Sequence, residues 1–305
     1  MIEVIKTDNL TKHYGNVRAV DGISLSVKKG EIYGFLGLNG AGKTTTIRML
    51  LGMINPTEGS AFLCGKRVSA GDHHLWENVG YLVEIPYSYP ELTVRENLEL
   101  VRRLRGLPDK RSVEAVMGKL HLTSYSDRKA KDLSLGNAQR LGLAKALIHD
   151  PEILILDEPS NGLDPVGIVE IREMFRDLAL NHGVTIFISS HILGEISRLA
   201  TRIGIIHQGM MVQEINTDRL ERLMRKRLLI DARDQKAAQS RLIKEGYSAN
   251  RSSNGVLEIK DENAISHPEA IATILVNAGL PPTLLKVDDE DLESYFLRAI
   301  GMEGE

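Results

Sequence analysis

Residues 37–45 read GLNGAGKTT, and the pattern G-x-x-x-x-G-K-[ST] inside them is carried by Gly37, Gly42, Lys43 and Thr44. The apolar run EIYGFLG, residues 31–37, enters it as a strand. From Lys43 onward Ile47, Leu50 and Leu51 recur on one helical face until Gly52 and Pro56. Strand, glycine-rich turn and helix start, in that order, are the context in which this pattern has a mechanism. The glycines let the backbone of Asn39, Gly40, Ala41, Gly42, Lys43, Thr44 and Thr45 turn its N–H groups toward one anion. The helix N-terminus adds about half a unit of positive charge. Lys43 has the reach to meet terminal phosphates, and the Thr44 hydroxyl suits Mg²⁺, which prefers oxygen ligands and stays partly hydrated. The competing reading is a glycine-rich turn that happens to carry a lysine.

Upstream, IEVIKT (residues 2–7) and VRAVDGISLSV (17–27) alternate as half-buried strands, and Lys28-Lys29-Gly30 makes a turn. Downstream, residues 91–149 are mostly helical. Thr93 with Glu96 three residues later is a capping box. EILILD (152–157), GVTIFISS (183–190) and RIGIIHQG (202–209) are short apolar runs separated by a helical stretch at 166–182. Such runs are strands buried on both faces, and their alternation with helices predicts a largely parallel sheet.

Three further segments carry chemistry. ILILDEP ends a buried strand on Asp157 and Glu158. Beside a phosphate loop these residues are a metal-binding acid and a carboxylate that polarises water; alone, the pair is an ordinary turn or cap feature. LSLGNAQRLGLAKAL (133–147) is a serine–glycine turn opening a helix, which offers N–H groups, a hydroxyl and a helix dipole to an anion. Its plainer reading is an N-cap at Ser134. ISSH places His191 directly after an apolar strand.

In this order the motifs resemble the ATP-binding-cassette (ABC) ATPases over roughly residues 2–215. The resemblance implies an α/β P-loop NTPase cassette. Its parts would be a mixed sheet, an N-terminal antiparallel β subdomain and a helical subdomain at about 88–150, within a nucleotide-binding domain spanning 1–215. ATP and Mg²⁺ are the implied ligands. In this family the signature turn of one subunit closes over the ATP held by the phosphate loop of another, a role that falls to Ser134, Gly136 and Asn137. SNGLDP resembles the D-loop, with Asp164 at the dimer seam. His191 corresponds to the switch histidine, Glu158 to the water-polarising base and Lys43 to the phosphate-binding lysine; these three form the implied catalytic set. Thr44, Asp157 and Glu84 are the implied metal residues. Tyr14 in TKHYGNVRAV resembles the aromatic that stacks on adenine, against the reading of a surface strand tyrosine. Two segments depart from the family pattern. Glu84 in GYLVE stands where glutamine is usual, and Leu135 and Asn137 replace a glycine and the glutamine of the signature.

A single phosphate loop requires two chains for a pair of sites. The interval from Lys43 to Asp157 leaves no room for the coiled coil of chromosome-maintenance relatives, and translation-factor relatives carry two cassettes in one chain. YSYPELTVRENL, YLVE, LSLG and DLESYFLRAI resemble the ATPase subunits that pair with small separate permeases, exporters of antibiotics, peptides or lipids of the bacitracin-resistance type. The resemblance implies a homodimer or a heterodimer, a permease docked near Glu84 to Asn97, and a cytoplasmic position on the inner face of the membrane. The alternative is a nucleotide-gated regulatory module that does no transport.

Composition agrees with a cytosolic globular chain. Hydrophobic residues are 42% and charged residues 26% of the 305, and Lys+Arg 38 against Asp+Glu 41 gives −3. That balance gives no electrostatic drive toward nucleic acid. Cys64 is the single cysteine, no apolar run approaches the roughly 18 residues of a membrane span, and MIEVIKTDNL lacks signal-peptide character. Beyond residue 215 the character changes. RLERLMRKR (219–227) reads as a linker whose Arg222, Arg225, Lys226 and Arg227 form a solvated helix face or lie near anionic lipid. LLIDA, a helix at 234–245, YSANRS, VLEIK, a helix at 268–279 and TLLKVD then give the βαββαβ order of a ferredoxin-like α+β domain, 216–305. A last helix carries Leu292, Tyr295, Phe296 and Ala299 on one face.

Overall fold

The computed structural model describes residues 2–69, 76–84, 86–252 and 255–302. The chain divides into two compact units, Met1–Asp218 and Arg219–Glu305. In the first, β1 (Glu3–Tyr14) and β2 (Val17–Lys28) form a long hairpin closing at Tyr14↔Val17. β3 (Ile32–Leu36) runs into the glycine-rich loop and α1 (Lys43–Leu50). β4 (Glu58–Leu63) pairs with β1 and with the short β5 (Lys66–Arg67), completing an antiparallel sheet of order β2-β1-β4-β5.

After β6 (Val79–Leu82) come three helices, α2 (Val94–Leu104), α3 (Arg111–Lys119) and α4 (Leu135–Leu147). Then β7 (Ile153–Asp157), α5 (Pro165–His182), β8 (Thr185–Ser190), α6 (Leu193–Ile196), β9 (Arg202–His207) and β10 (Met210–Asn216) follow. The second sheet has the order β10-β9-β3-β8-β7-β6 and is parallel throughout except for β10.

Every residue of β3, β7 and β8 is buried, which is why IYGFL, ILILD and TIFISS show no polar alternation. Tyr33 stacks on Phe187 with ring centroids 5.5 Å apart, and Phe35 lies 5.3 Å from the same ring. Burial, reinforced by the Glu214 carboxylate, pushes the Tyr33 hydroxyl well above its ordinary pKa, so it donates to Glu214 at 2.5 Å. The register pairs Leu36 with Ser190 and Asp157 with Ser189, so three buried strands end side by side. In a parallel sheet the carboxyl ends of the strands, where loops diverge, form the ligand crevice.

The helices begin where the sequence places caps. Ser134 accepts from Asn137 N–H, and Asp164, followed by Pro165, accepts from Gly167 N–H at 2.9 Å. At Thr93 both halves of the capping box are formed: Glu96 N–H to the threonine hydroxyl at 3.1 Å, and Thr93 N–H to the Glu96 carboxylate at 2.8 Å.

The second unit opens with α7 (Leu220–Leu223) and continues β11 (Lys226–Ala232), α8 (Gln235–Lys244), β12 (Asn250–Arg251), β13 (Leu257–Ile259), α9 (Glu262–Ser266), α10 (Pro268–Asn277), β14 (Pro282–Asp289) and α11 (Leu292–Ala299). Its antiparallel sheet has the order β12-β13-β11-β14, the arrangement of the split βαββαβ pattern. Leu228, Ile230, Leu257 and Ile259 meet Ala238, Leu242, Ile271 and Leu275 in one core. The basic stretch differs from the expected helix face. Lys226 and Arg227 begin β11, and Arg227 pairs with Glu258 at 2.8 Å and Asp288 at 3.3 Å across the neighbouring strands. Strand pairing wins there because it satisfies both backbone and charge. The expected strand at YSANRS shrinks to two residues, Asn250–Arg251.

Loss of the α2 cap has a direct consequence. Thr93→Ala should lower unfolding stability by about 1 kcal/mol, and Thr93→Ser by less than half of that. Urea unfolding followed by circular dichroism measures both; an alanine variant as stable as the parent would deny the cap its energetic role.

Candidate functional site

At the end of β3 the chain turns through residues 37–45 under tight steric control. Gly42 has φ 106°, and a Cβ there would lie 2.5 Å from the Ala19 carbonyl oxygen of β2. The turn between β9 and β10 fastens the same region: Gly209 N–H donates to Ala41 O at 3.0 Å, and Asp21 N–H donates to Gly209 O at 2.8 Å. Among the described residues, none accepts a hydrogen bond from the backbone N–H of Asn39, Gly40, Gly42, Lys43, Thr44 or Thr45. Unpaired donors around a helix N-terminus fit an anion with several acceptor oxygens, so the loop suits a polyphosphate.

Lys43 is buried, and its ammonium donates to Gly37 O at 2.6 Å and lies 3.2 Å from Glu158 Oε1. Glu158 Oε2 faces His191 Nδ1 at 2.8 Å. One carboxylate thus sits between a cation at the start of α1 and an imidazole just past the end of β8. Glu158 adopts φ 49°, a left-handed conformation that costs a non-glycine residue about 1–3 kcal/mol and persists where surroundings enforce it. Two contacts enforce it here. Ser189 Oγ accepts from Glu158 N–H at 3.1 Å, and Gln139 of α4 donates to Pro159 O at 3.0 Å.

Asp157 is 2% exposed and both carboxylate oxygens are engaged by hydroxyls: Oδ2 by Thr44 at 2.7 Å and Oδ1 by Ser189 at 2.5 Å. Thr44 and Asp157, expected as metal residues, are therefore together. Glu84 is not joined to them. Its carboxylate pairs with Arg48 of α1 at 2.7 Å on the surface, because that guanidinium, one helical turn beyond Thr44, is the cation within its reach.

The expected signature residues, 134–137, open α4. Ser134 caps α4, and Asn137 contributes its backbone N–H to that cap. A Cβ on Gly136 would come within 3.0 Å of Gly162 O, so the start of α4 packs directly on the turn that ends at Asp164. Among the described residues, neither Ser134, Gly136 nor Asn137 hydrogen-bonds to residues 37–45. Tyr14 is 48% exposed at the tip of the β1–β2 hairpin, with Lys12 Nζ 5.3 Å over its ring. The same hairpin touches Gly42 through Ala19.

Residues 87–89 follow Glu84 as an aromatic loop. Tyr87, 77% exposed, and Tyr89 meet edge to face at 5.9 Å. Lys145 of α4 donates to Tyr87 O at 2.9 Å and Ser88 Oγ at 2.8 Å, and its burial lowers its pKa to about 8. Buried Asn97 of α2 closes the other side, accepting from Tyr89 N–H at 2.9 Å. Sequence reasoning passed over Ser189, Gln139 and Lys145. The serine pair before His191 was visible in TIFISSH, where two polar residues end an otherwise apolar strand; nothing in the sequence singled out Gln139 or Lys145 from an ordinary helix.

With the geometry in place, similarity to known proteins assigns the family. A family model described as ABC transporter matches residues 20–161. The chain is 40% identical over 305 residues to the bacitracin transport ATP-binding protein BcrA of Bacillus licheniformis, covering 99% of this chain and 98% of the relative. It is 41% identical over 306 residues to BcrA of Enterococcus faecalis, covering 99% and 97%. A solved ATP-binding subunit of an ABC transporter superposes with a TM-score of 0.66 at 27% identity, covering 72% of this chain and 92% of that one. Near full-length identity at this level, together with a phosphate-binding loop facing Asp157, Glu158 and His191, places the chain in the ABC transporter family as one of its ATP-binding ATPase subunits.

Proposed function

We propose that the chain energises export of a peptide antibiotic, through MgATP-driven closure of two cassettes beneath a separate permease. The observation that carries the chemical part is the contact series Lys43–Glu158–His191, at 3.2 and 2.8 Å. Glu158 Oε1 is buried, accepts no hydrogen bond among the described residues, and faces a lysine whose natural partner is phosphate. ATP at residues 37–45 competes for Lys43 and His191. Glu158 then becomes free to accept the proton of a water attacking the terminal phosphorus.

The donor set suits Mg²⁺. The Thr44 hydroxyl and Asp157 carboxylate, 2.7 Å apart, are hard oxygen donors that would hold the ion together with water and phosphate oxygens. The metal supplies charge neutralisation on the transferring phosphate. Glu84 would join, directly or through water, only by leaving Arg48.

Among the described residues, Ser134, Gly136 and Asn137 make no hydrogen bond to residues 37–45 of their own chain, which supports their use by a second cassette. Two cassettes related by a two-fold axis would each lend a signature turn to the other's ATP, with Asp164 at the seam. The partner is a second copy or a related cassette. The exposed Tyr87–Tyr89 loop, held by Lys145 and Asn97, supports a permease contact within Glu84 to Asn97. No helix among the described residues is long and apolar enough to cross a membrane, so the reading places the pore in the permease, with this chain on the inner face. Full-length similarity to the two bacitracin transport ATP-binding proteins supports a peptide antibiotic as cargo.

Glu158→Gln keeps shape and loses the proton acceptor, so ATP turnover should drop by about 10²–10⁴ while ATP still binds. In light scattering the same variant should gain mass toward a dimer with MgATP and not with MgADP, and adding Ser134→Arg should abolish the gain. Equal turnover would remove Glu158 from the chemistry; a mass indifferent to nucleotide would remove the ATP sandwich between copies of this chain. For the base contact, Tyr14→Ala should weaken ATP binding by about 1–3 kcal/mol with Tyr14→Trp tolerated. Calorimetry giving the alanine variant parental affinity would return Tyr14 to the surface of the hairpin.

A further inference from the structure

Ser189 lies fully buried at the end of β8, and its one hydroxyl makes two contacts that only one orientation allows. It donates to Asp157 Oδ1 at 2.5 Å and accepts from Glu158 N–H at 3.1 Å. A backbone N–H can only donate, so the Glu158 peptide supplies one bond to the hydroxyl oxygen and the single hydroxyl hydrogen is left to point at the Asp157 carboxylate. The direction N–H to Oγ–H to carboxylate is therefore fixed, and each bond polarises the next.

We propose that Ser189 is a positioning residue for both acids of the site. Through Oδ1 it fixes the rotation of the Asp157 carboxylate, which leaves Oδ2 directed at the Thr44 hydroxyl. Through the Glu158 peptide it stabilises the left-handed backbone that carries the Glu158 carboxylate between Lys43 and His191. A carboxylate that holds a metal is tuned by the group hydrogen-bonded to its other oxygen, and loss of such a partner costs about 10–100-fold in metal affinity. Ser190, the neighbouring serine, is spent differently: its hydroxyl accepts from Ile192 N–H at 3.0 Å and its carbonyl accepts from Gly37 N–H at 3.2 Å. The two serines of ISSH thus separate the tasks of aiming the acids and bracing the phosphate loop. The assignment rests on the roles given above to Asp157 and Glu158.

The test compares Ser189→Ala, Ser189→Thr and Glu158→Gln in the full chain. Binding of a fluorescent ATP analogue is titrated in EDTA and again against increasing Mg²⁺, alongside turnover and melting temperature. Ser189→Ala should keep metal-free nucleotide affinity, since the Ser189 hydroxyl bonds to Asp157 and Glu158 and to none of the backbone N–H groups of residues 37–45. It should need about 10–100-fold more Mg²⁺ for the metal-dependent gain in affinity, and its turnover at saturating Mg²⁺ should fall by about 10–100-fold. Ser189→Thr retains the hydroxyl and should restore both. Parental Mg²⁺ dependence and turnover in the alanine variant overturn the proposal, as does a threonine variant that melts like the parent yet is equally impaired. Persisting turnover in Glu158→Gln is a separate outcome: it withdraws the role of Glu158, and with it the half of the proposal that concerns that residue.

Discussion

The parallel register that sets Leu36 against Ser190 and Asp157 against Ser189 is the constraint on which the site depends. In a half-buried strand, a slip of one residue is punished because apolar side chains move into water. β3, β7 and β8 are buried on both faces, so that penalty is largely missing. Polar groups at their carboxyl ends supply a substitute. Asp157, Ser189 and Ser190 are each at most 3% exposed, and buried polar groups must find partners. In this register each does: Asp157 with Thr44 and Ser189, Ser190 with the backbone beyond it and with Gly37. The polar residues proposed for the site thereby also hold the strands in one alignment.

The same economy governs charge. Lys43 and Glu158 are both largely buried, and an isolated charge in either position would be costly. Their proximity at 3.2 Å offsets that cost. A polyphosphate brings more negative charge than one carboxylate and many more acceptor atoms for the unpaired N–H groups. On the proposed reading, a bound polyphosphate would replace an existing neutralising contact of Lys43.

Much of this was legible in the sequence because it is local. GLNGAGKTT, ILILDEP and the Thr93 and Ser134 caps are set by neighbours a few residues apart, and the expected strand–loop–helix is present as β3, the loop and α1. What resisted reading is non-local. β6 escaped notice because VGYL is short and because Gly80 is pressed against the Ala146 carbonyl of α4, where a Cβ would sit 2.1 Å away. β4 was missed because EGSAFL shows weak alternation and gains its order from β1. Glu84 could be aligned to a family position, yet its partner Arg48 lies in another element. Arg227 belonged by composition to a basic linker, while its true environment is two acids on adjacent strands.

Helix α4 shows how distant parts of the first unit are mechanically tied. Its first residues pack on the turn after Glu158, and Gln139 holds Pro159 O one turn later. Arg140 reaches Glu170 of α5 at 2.7 Å, and near the last turn Lys145 grips the backbone of the Tyr87 loop. An α-helix is stiff along its axis, because shortening or stretching it breaks its ladder of backbone bonds. A shift of residues 158–164 relative to residues 87–89 must therefore move α4 as a body or break one of these grips. Each grip uses a buried or half-buried polar group, which makes the second route the more expensive one. Movement of the whole helix is the cheaper response, and it would displace the exposed Tyr87–Tyr89 loop together with residues 158–164.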